Sequence, residues 1–132
     1  MTHDADAALL LLRLSVGGVQ LPHGLQKFGL LGGDVPATAA EFDACGLVPP
    51  RLWVRAVGLA QIFCGGLLVG GLATRGAALL TFCLCLGMAQ AVLRRNGWFW
   101  HRHGMEYALF WALGAAALVL LGPGAWSVEG QL

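Results

Sequence analysis

Residues 53–73, WVRAVGLAQIFCGGLLVGGLA, are followed after only Thr74-Arg75-Gly76 by a second apolar run, residues 77–93, AALLTFCLCLGMAQAVL. A helix crossing the hydrocarbon core needs about 20 mostly apolar residues, and in lipid its backbone polar groups must be satisfied within the helix. So short a join makes these two runs antiparallel neighbours. Working outward, residues 8–31 and 105–121 supply two more apolar runs. The expected fold is all-α, an integral membrane four-helix bundle that takes up the chain as a single domain, residues 1–132.

Composition agrees. Hydrophobic residues make up 58% of the chain and charged residues 11%, with a mean hydropathy of +0.71. A soluble domain carries about 25% charged residues, so this chain could not cover its own surface in water. The net charge of +1 and the lack of a Lys/Arg-rich run leave no footprint for nucleic acid. The opening Thr2-His3-Asp4-Ala5-Asp6 is acidic where a cleaved signal peptide would be basic, so the first span is expected to stay.

The connections are short and stop helices well. Pro22 lies within the end of the first run, and Gly32-Gly33-Asp34 closes it. In the longest connection, residues 35–42 read as a short interfacial helix with Pro36 near its start. Lys27, Arg51, Arg55, Arg94, Arg95 and Arg102 fall at the ends of spans on one side. The other side holds Asp4, Asp6, Arg75 and Glu129. The positive-inside rule then puts both termini outside, with the two longer connections in the cytoplasm. Trp53, Trp98, Trp100 and Trp126 fit interfacial belts.

Ionisable groups at bilayer depth are expensive, so they turn inward and find partners. Arg13, Gly17, Gln20, His23 or Gly24, and Lys27 share one stripe of the first helix. Gln61 in span two and Gln90 in span three extend the polar set, and Glu106 opens span four. Arg13, Gln20 and Gln90 read as a structural network, with Arg13 bonding Gln or backbone groups. Glu106 is the counter-charge expected for Lys27, Arg94 or Arg102. His23, Lys27, Gln61 and Glu106 together could line a pocket for a quinone head group, with Trp98 or Phe99 over its ring. A purely structural network that fixes helix register is the competing reading. Gly66 and Gly70 make a notch where another helix can approach closely.

No metal centre is expected. Cys83 and Cys85 are two apart and point about 200° apart on a helix, so they cannot chelate one ion. Cys64, Cys83 and Cys85 read as small packing residues, and Cys45 falls in a loop. His101 and His103 match no zinc spacing.

Several short motifs, taken in order, resemble the DoxX family of small four-span bacterial membrane proteins. They are Arg13-Leu14-Ser15-Val16-Gly17, His23-Gly24-Leu25-Gln26-Lys27-Phe28-Gly29, and Gly46-Leu47-Val48-Pro49-Pro50. The run Gly65-Gly66-Leu67-Leu68-Val69-Gly70-Gly71 follows, then Gly97-Trp98-Phe99, Gly104-Met105-Glu106-Tyr107 and Gly122-Pro123-Gly124-Ala125-Trp126-Ser127. Members of that family commonly carry Glu where this chain has Gln61, a change that keeps hydrogen bonding and removes charge. The resemblance implies a bacterial cytoplasmic (inner) membrane protein, with relatives linked to thiosulfate:quinone oxidoreduction and to membrane oxidoreductase complexes. The expectation is an accessory subunit of an oxidoreductase or respiratory-type complex. It would not be catalytic alone, would hold no metal or covalent cofactor, and would contact quinone and other integral membrane subunits. The alternative is a helix-packing or assembly subunit with no ligand.

Overall fold

The computed structural model describes residues 2–132, and among them every regular element is helical. The first helix, α1 (His3–Gln26), starts where Thr2 Oγ1 accepts from the Ala5 amide at 3.3 Å, with Asp4 and Asp6 in its positive first turn. It passes through Pro22 and ends at Gln26, capped by Lys27, so Leu30 and Leu31 lie beyond the helix that forms the expected first span. Asp34 caps α2 (Val35–Ala44) by accepting from the Ala37 amide at 3.0 Å, and α2 settles against α3. Helix α3 (Pro50–Gly70) turns at Gly71, whose φ of 72° favours glycine, into α4 (Thr74–Asn96). After a 3₁₀ turn at Trp100–Arg102 come α5 (Glu106–Leu121) and a last short turn, α6 (Val128–Gln131).

The bundle consists of two tight pairs, α1 with α3 and α4 with α5, joined along α3–α4 and α1–α5. Hydrophobicity does not drive helices together in lipid, so close backbone approach does that work. The α1–α3 seam is built on two glycine pairs. A Cβ placed on Gly17 would lie 2.8 Å from the Gly65 carbonyl, and one on Gly24 would lie 2.7 Å from the Gly58 carbonyl. Both pairs therefore require glycine. The expected notch at Gly66 and Gly70 plays no part in this seam, because a Cβ on either would meet nothing within 4 Å. Helices α4 and α5 meet through buried alanines, among them Ala78, Ala89, Ala108 and Ala112. Leu9, Val16, Leu68 and Leu118 fill the core at the α3–α4 turn end.

Outside, Leu59, Phe63, Leu79, Phe110, Leu113 and Leu120 are all exposed, a band of apolar side chains no soluble protein of this size would show. Helices α1, α3 and α4 are long and apolar enough to cross a membrane. Helix α5 is apolar but has 16 residues. At 1.5 Å per residue it spans about 24 Å, short of the ~30 Å hydrocarbon core. Its ends are fixed by Gly104, closely packed on Trp98 and Phe99, and by Gly122, whose φ is 83°.

Candidate functional site

The two ends of the bundle differ chemically. At the end formed by the α3–α4 turn, the chain folds its own tail over Arg13. Arg13 is 1% exposed and its Nη2 donates to the Trp126 carbonyl, a backbone partner of the kind expected. Its Nε and Nη1 have no partner among the described residues. Around it, the Asp6 carboxylate accepts from the Ala125 amide at 2.9 Å, and Glu129 accepts from the Thr74 amide at 3.1 Å. The Glu129 amide donates in turn to the Gly71 carbonyl at 2.9 Å. Sequence reasoning treated Asp6 and Glu129 as loose outside charges. The only signal for this clasp was Gly122-Pro123-Gly124, a turn able to send the tail back.

Midway along the bundle lies a polar layer. Gln20 of α1 reaches across to Cys85 of α4, with Nε2 to Sγ at 3.7 Å. Gln61 is 3% exposed, and the side-chain oxygens of both glutamines lack a protein partner. Cys85 is buried in this layer, while Cys64, also buried, belongs to the apolar core with Val16 and Leu68. Gln90 does not belong to the layer. It is exposed, because residues 81, 85 and 89 make the inward stripe of α4 and 90 falls one step off it.

At the opposite end the four residues expected to share one pocket are divided. Lys27 is buried, at 9% exposure, and its ammonium donates to the His23 carbonyl at 3.4 Å. The His23 side chain is exposed, and the bond to Lys27 is made by the His23 backbone carbonyl and not by its ring. Lys27, Phe28, Val35, Arg51 and Arg55 line a pocket of about 160 Å³ between α1, α2 and α3. Glu106 lies elsewhere. It lines a wide groove of about 600 Å³ with Trp98, Trp100, Tyr107, Phe110 and Trp111. The expected pairing of Glu106 with Lys27 is therefore absent, and the carboxylate that acts on Lys27 is Glu41 of α2. The physical reason is that α5 packs on α4 and α1, leaving the α1–α3 pocket to be closed by α2. Of the expected ring covers, Trp98 lines the Glu106 groove. Tyr107 and Trp111, stacked edge to face at 6.5 Å between centroids, complete a wall that sequence reasoning missed. Their i, i+4 spacing was the available clue.

Four packed helices with an apolar exterior, polar residues drawn inward and aromatic side chains at the ends define a small helical membrane protein. The chain belongs to the DoxX family, whose family model matches residues 8–94. It is also similar to an uncharacterized membrane protein of Mycobacterium tuberculosis, Rv3486, at 29% identity over 139 residues, covering 98% of this chain and 83% of that protein. No solved structure gives a significant match.

Proposed function

We propose that this DoxX protein is an accessory integral subunit of a bacterial inner-membrane oxidoreductase complex, with both termini outside, and that it contacts quinone without a redox centre of its own. The observation that carries this reading is the groove of Trp98, Trp100, Glu106, Tyr107, Phe110 and Trp111. Its size suits a ring-bearing ligand, since small-molecule sites run from about 300 to 1,000 Å³ and combine apolar walls with a few polar groups. Glu106 is half-buried and Tyr107 sits beside it. A carboxyl and a phenol can bond the oxygens of a quinone or quinol ring while the indoles hold its faces. Quinone, when bound, supplies the two-electron, two-proton carrier. The chain orients it and shields it from water.

The test is titration of the purified protein with a short-chain quinone, read by quenching of tryptophan fluorescence. Glu106→Gln and Trp111→Leu are each expected to weaken binding about tenfold or more, the scale of one hydrogen bond to a charged group or one lost aromatic wall. Equal binding by wild type and both variants overturns the quinone assignment. Purification in mild detergent tests the subunit assignment, which fails if no redox partner accompanies the chain.

A second reading, an assembly subunit without a ligand, is favoured by the open Gly66 and Gly70 positions, which face away from the bundle. Glu106→Gln separates the two. Under the first reading the complex assembles and quinone-linked activity falls. Under the second both persist.

A further inference from the structure

We infer that the pocket between α1, α2 and α3 is a phosphate-binding site for the headgroup of an anionic phospholipid. It lies apart from the Glu106 groove and does not depend on the quinone reading. Three cations converge on it. Arg51 and Arg55 are four residues apart on the first turns of α3 and share a face. Lys27 comes from the end of α1, seated beside Gly58, where a Cβ would come within 3.0 Å of the Lys27 Cβ. Glycine at 58 thus brings Lys27 against the same turn of α3 that carries Arg55.

Burial makes the case for a ligand. An ammonium offers three donors, and Lys27, at 9% exposure, uses one of them on the His23 carbonyl at 3.4 Å. A cation removed from water without an ion pair is costly unless an anion joins it. The pocket lining carries the three positive charges of Lys27, Arg51 and Arg55 and no carboxylate; Glu41 of α2 acts on Lys27 from outside that lining. The start of α3 adds to the pull. Its N-cap, Pro49, supplies no side-chain cap, and the helix dipole there favours an anion.

The ligand's chemistry follows from the shape and position. About 160 Å³ holds a phosphate group but not a whole lipid. Phe28 and Val35 make the apolar part of the lining, and Leu30, Leu31 and Leu52, close in sequence to the lining residues, are exposed, apolar surface suited to glycerol and acyl chains. Basic pockets between membrane helices on the cytoplasmic side recognise such headgroups.

Native mass spectrometry of the full-length, delipidated protein tests the proposal, using phosphatidylglycerol and phosphatidylcholine of matched chains, and inorganic phosphate. Phosphatidylglycerol is expected to bind and phosphatidylcholine to bind at least tenfold more weakly. Arg51→Gln with Arg55→Gln is expected to lose about thirtyfold in affinity for phosphatidylglycerol, or about 2 kcal/mol, since each basic group contributes about 1 kcal/mol. Both arginines are exposed, so this variant is expected to keep its fold, read by an unchanged melting curve. Arg75→Gln, at the other end of the bundle, is the control that leaves binding unchanged. Full competition by millimolar phosphate supports the phosphate site and moves its source to the free anion. Equal binding of both lipids, or no loss in the double variant, overturns the proposal.

Discussion

Replacing Gly24 by Ala tests the glycine seam that holds α1 to α3. The added Cβ would sit 2.7 Å from the Gly58 carbonyl oxygen, 2.7 Å from Ile62 Cγ1 and 2.9 Å from the Ile62 amide nitrogen. The Ile62 side chain can rotate away, but the two backbone atoms cannot. The helices must separate until the oxygen reaches an ordinary contact near 3.4 Å, and a gap of this order forfeits a quarter to a half of each dispersion contact along the seam. Overpacking of this kind costs about 1–3 kcal/mol. Against it stands the gain of about 1 kcal/mol from replacing a helical Gly by Ala. Gly18→Ala isolates that gain, because its Cβ would meet nothing within 4 Å. The propensity contribution is common to both variants, so the difference between them reports the seam alone. It is expected to be about 2 kcal/mol, with Gly24→Ala the less stable. Unfolding in mixed micelles by increasing SDS fraction, followed by far-ultraviolet circular dichroism, gives both values. Equal stabilities, or a more stable Gly24→Ala, would refute the seam.

Two further outcomes follow from the bundle's two ends. Arg13→Met fills the same space without a buried guanidinium that has two unpaired nitrogens, so helix stability is expected to change by less than about 1 kcal/mol. The tail should loosen because the bond to the Trp126 carbonyl is lost, and hydrogen exchange should speed up at residues 122–132 with little change in α3 and α4. Cys45, exposed at the end of α2, reports orientation, since Cys64 and Cys85 are buried and Cys83 is on the apolar exterior of α4. A membrane-impermeant maleimide should label it only after permeabilisation. Labelling in intact cells would reverse the topology.

The helices were legible because lipid imposes a length and a composition, and both are written in residues 53–93 without help from any neighbour. The Pro36 start of α2 was legible for a similar local reason. The pairing of helices was less so. Gly66 and Gly70 follow the familiar small-residue spacing, yet the contacts fall at Gly58 and Gly65, seven apart, matching Gly17 and Gly24, also seven apart. Matched glycines on two antiparallel helices were present in the sequence, but a rule applied to one helix at a time could not select them. The site residues failed for a related reason. Periodicity put Lys27 on the inward stripe correctly, but it carries no information about which helix closes which gap. As the sole acidic residue in any expected span, Glu106 is the natural counter-charge for Lys27, Arg94 or Arg102, and spacing alone does not choose among them. The carboxylate whose charge is felt at Lys27 sits in a connection, on α2, and makes no ion pair with it among the described residues.

That asymmetry has a functional consequence. At the tail end, Arg13 is covered, Asp6 and Glu129 are occupied with backbone amides, and Gly71 leaves no room for a side chain. A group approaching from that side would first have to displace the clasp. At the other end the polar side chains bond backbone carbonyls, as Lys27, Arg95 and Asn96 do, and not one another. Lys27 lacks an ion pair among the described residues, Glu106 faces a groove, and Trp98 and Trp100 are exposed around it. Between them, the layer of Gln20, Gln61 and Cys85 is uncharged at neutral pH, so it can pass on a change in packing but cannot carry a fixed charge through the bundle. On the proposed reading, chemistry belongs to the end with the aromatic groove and the basic pocket. The clasp ties the tail to α1 and to the start of α4, which leaves the open end as the place where ligand or lipid binding is to be tested.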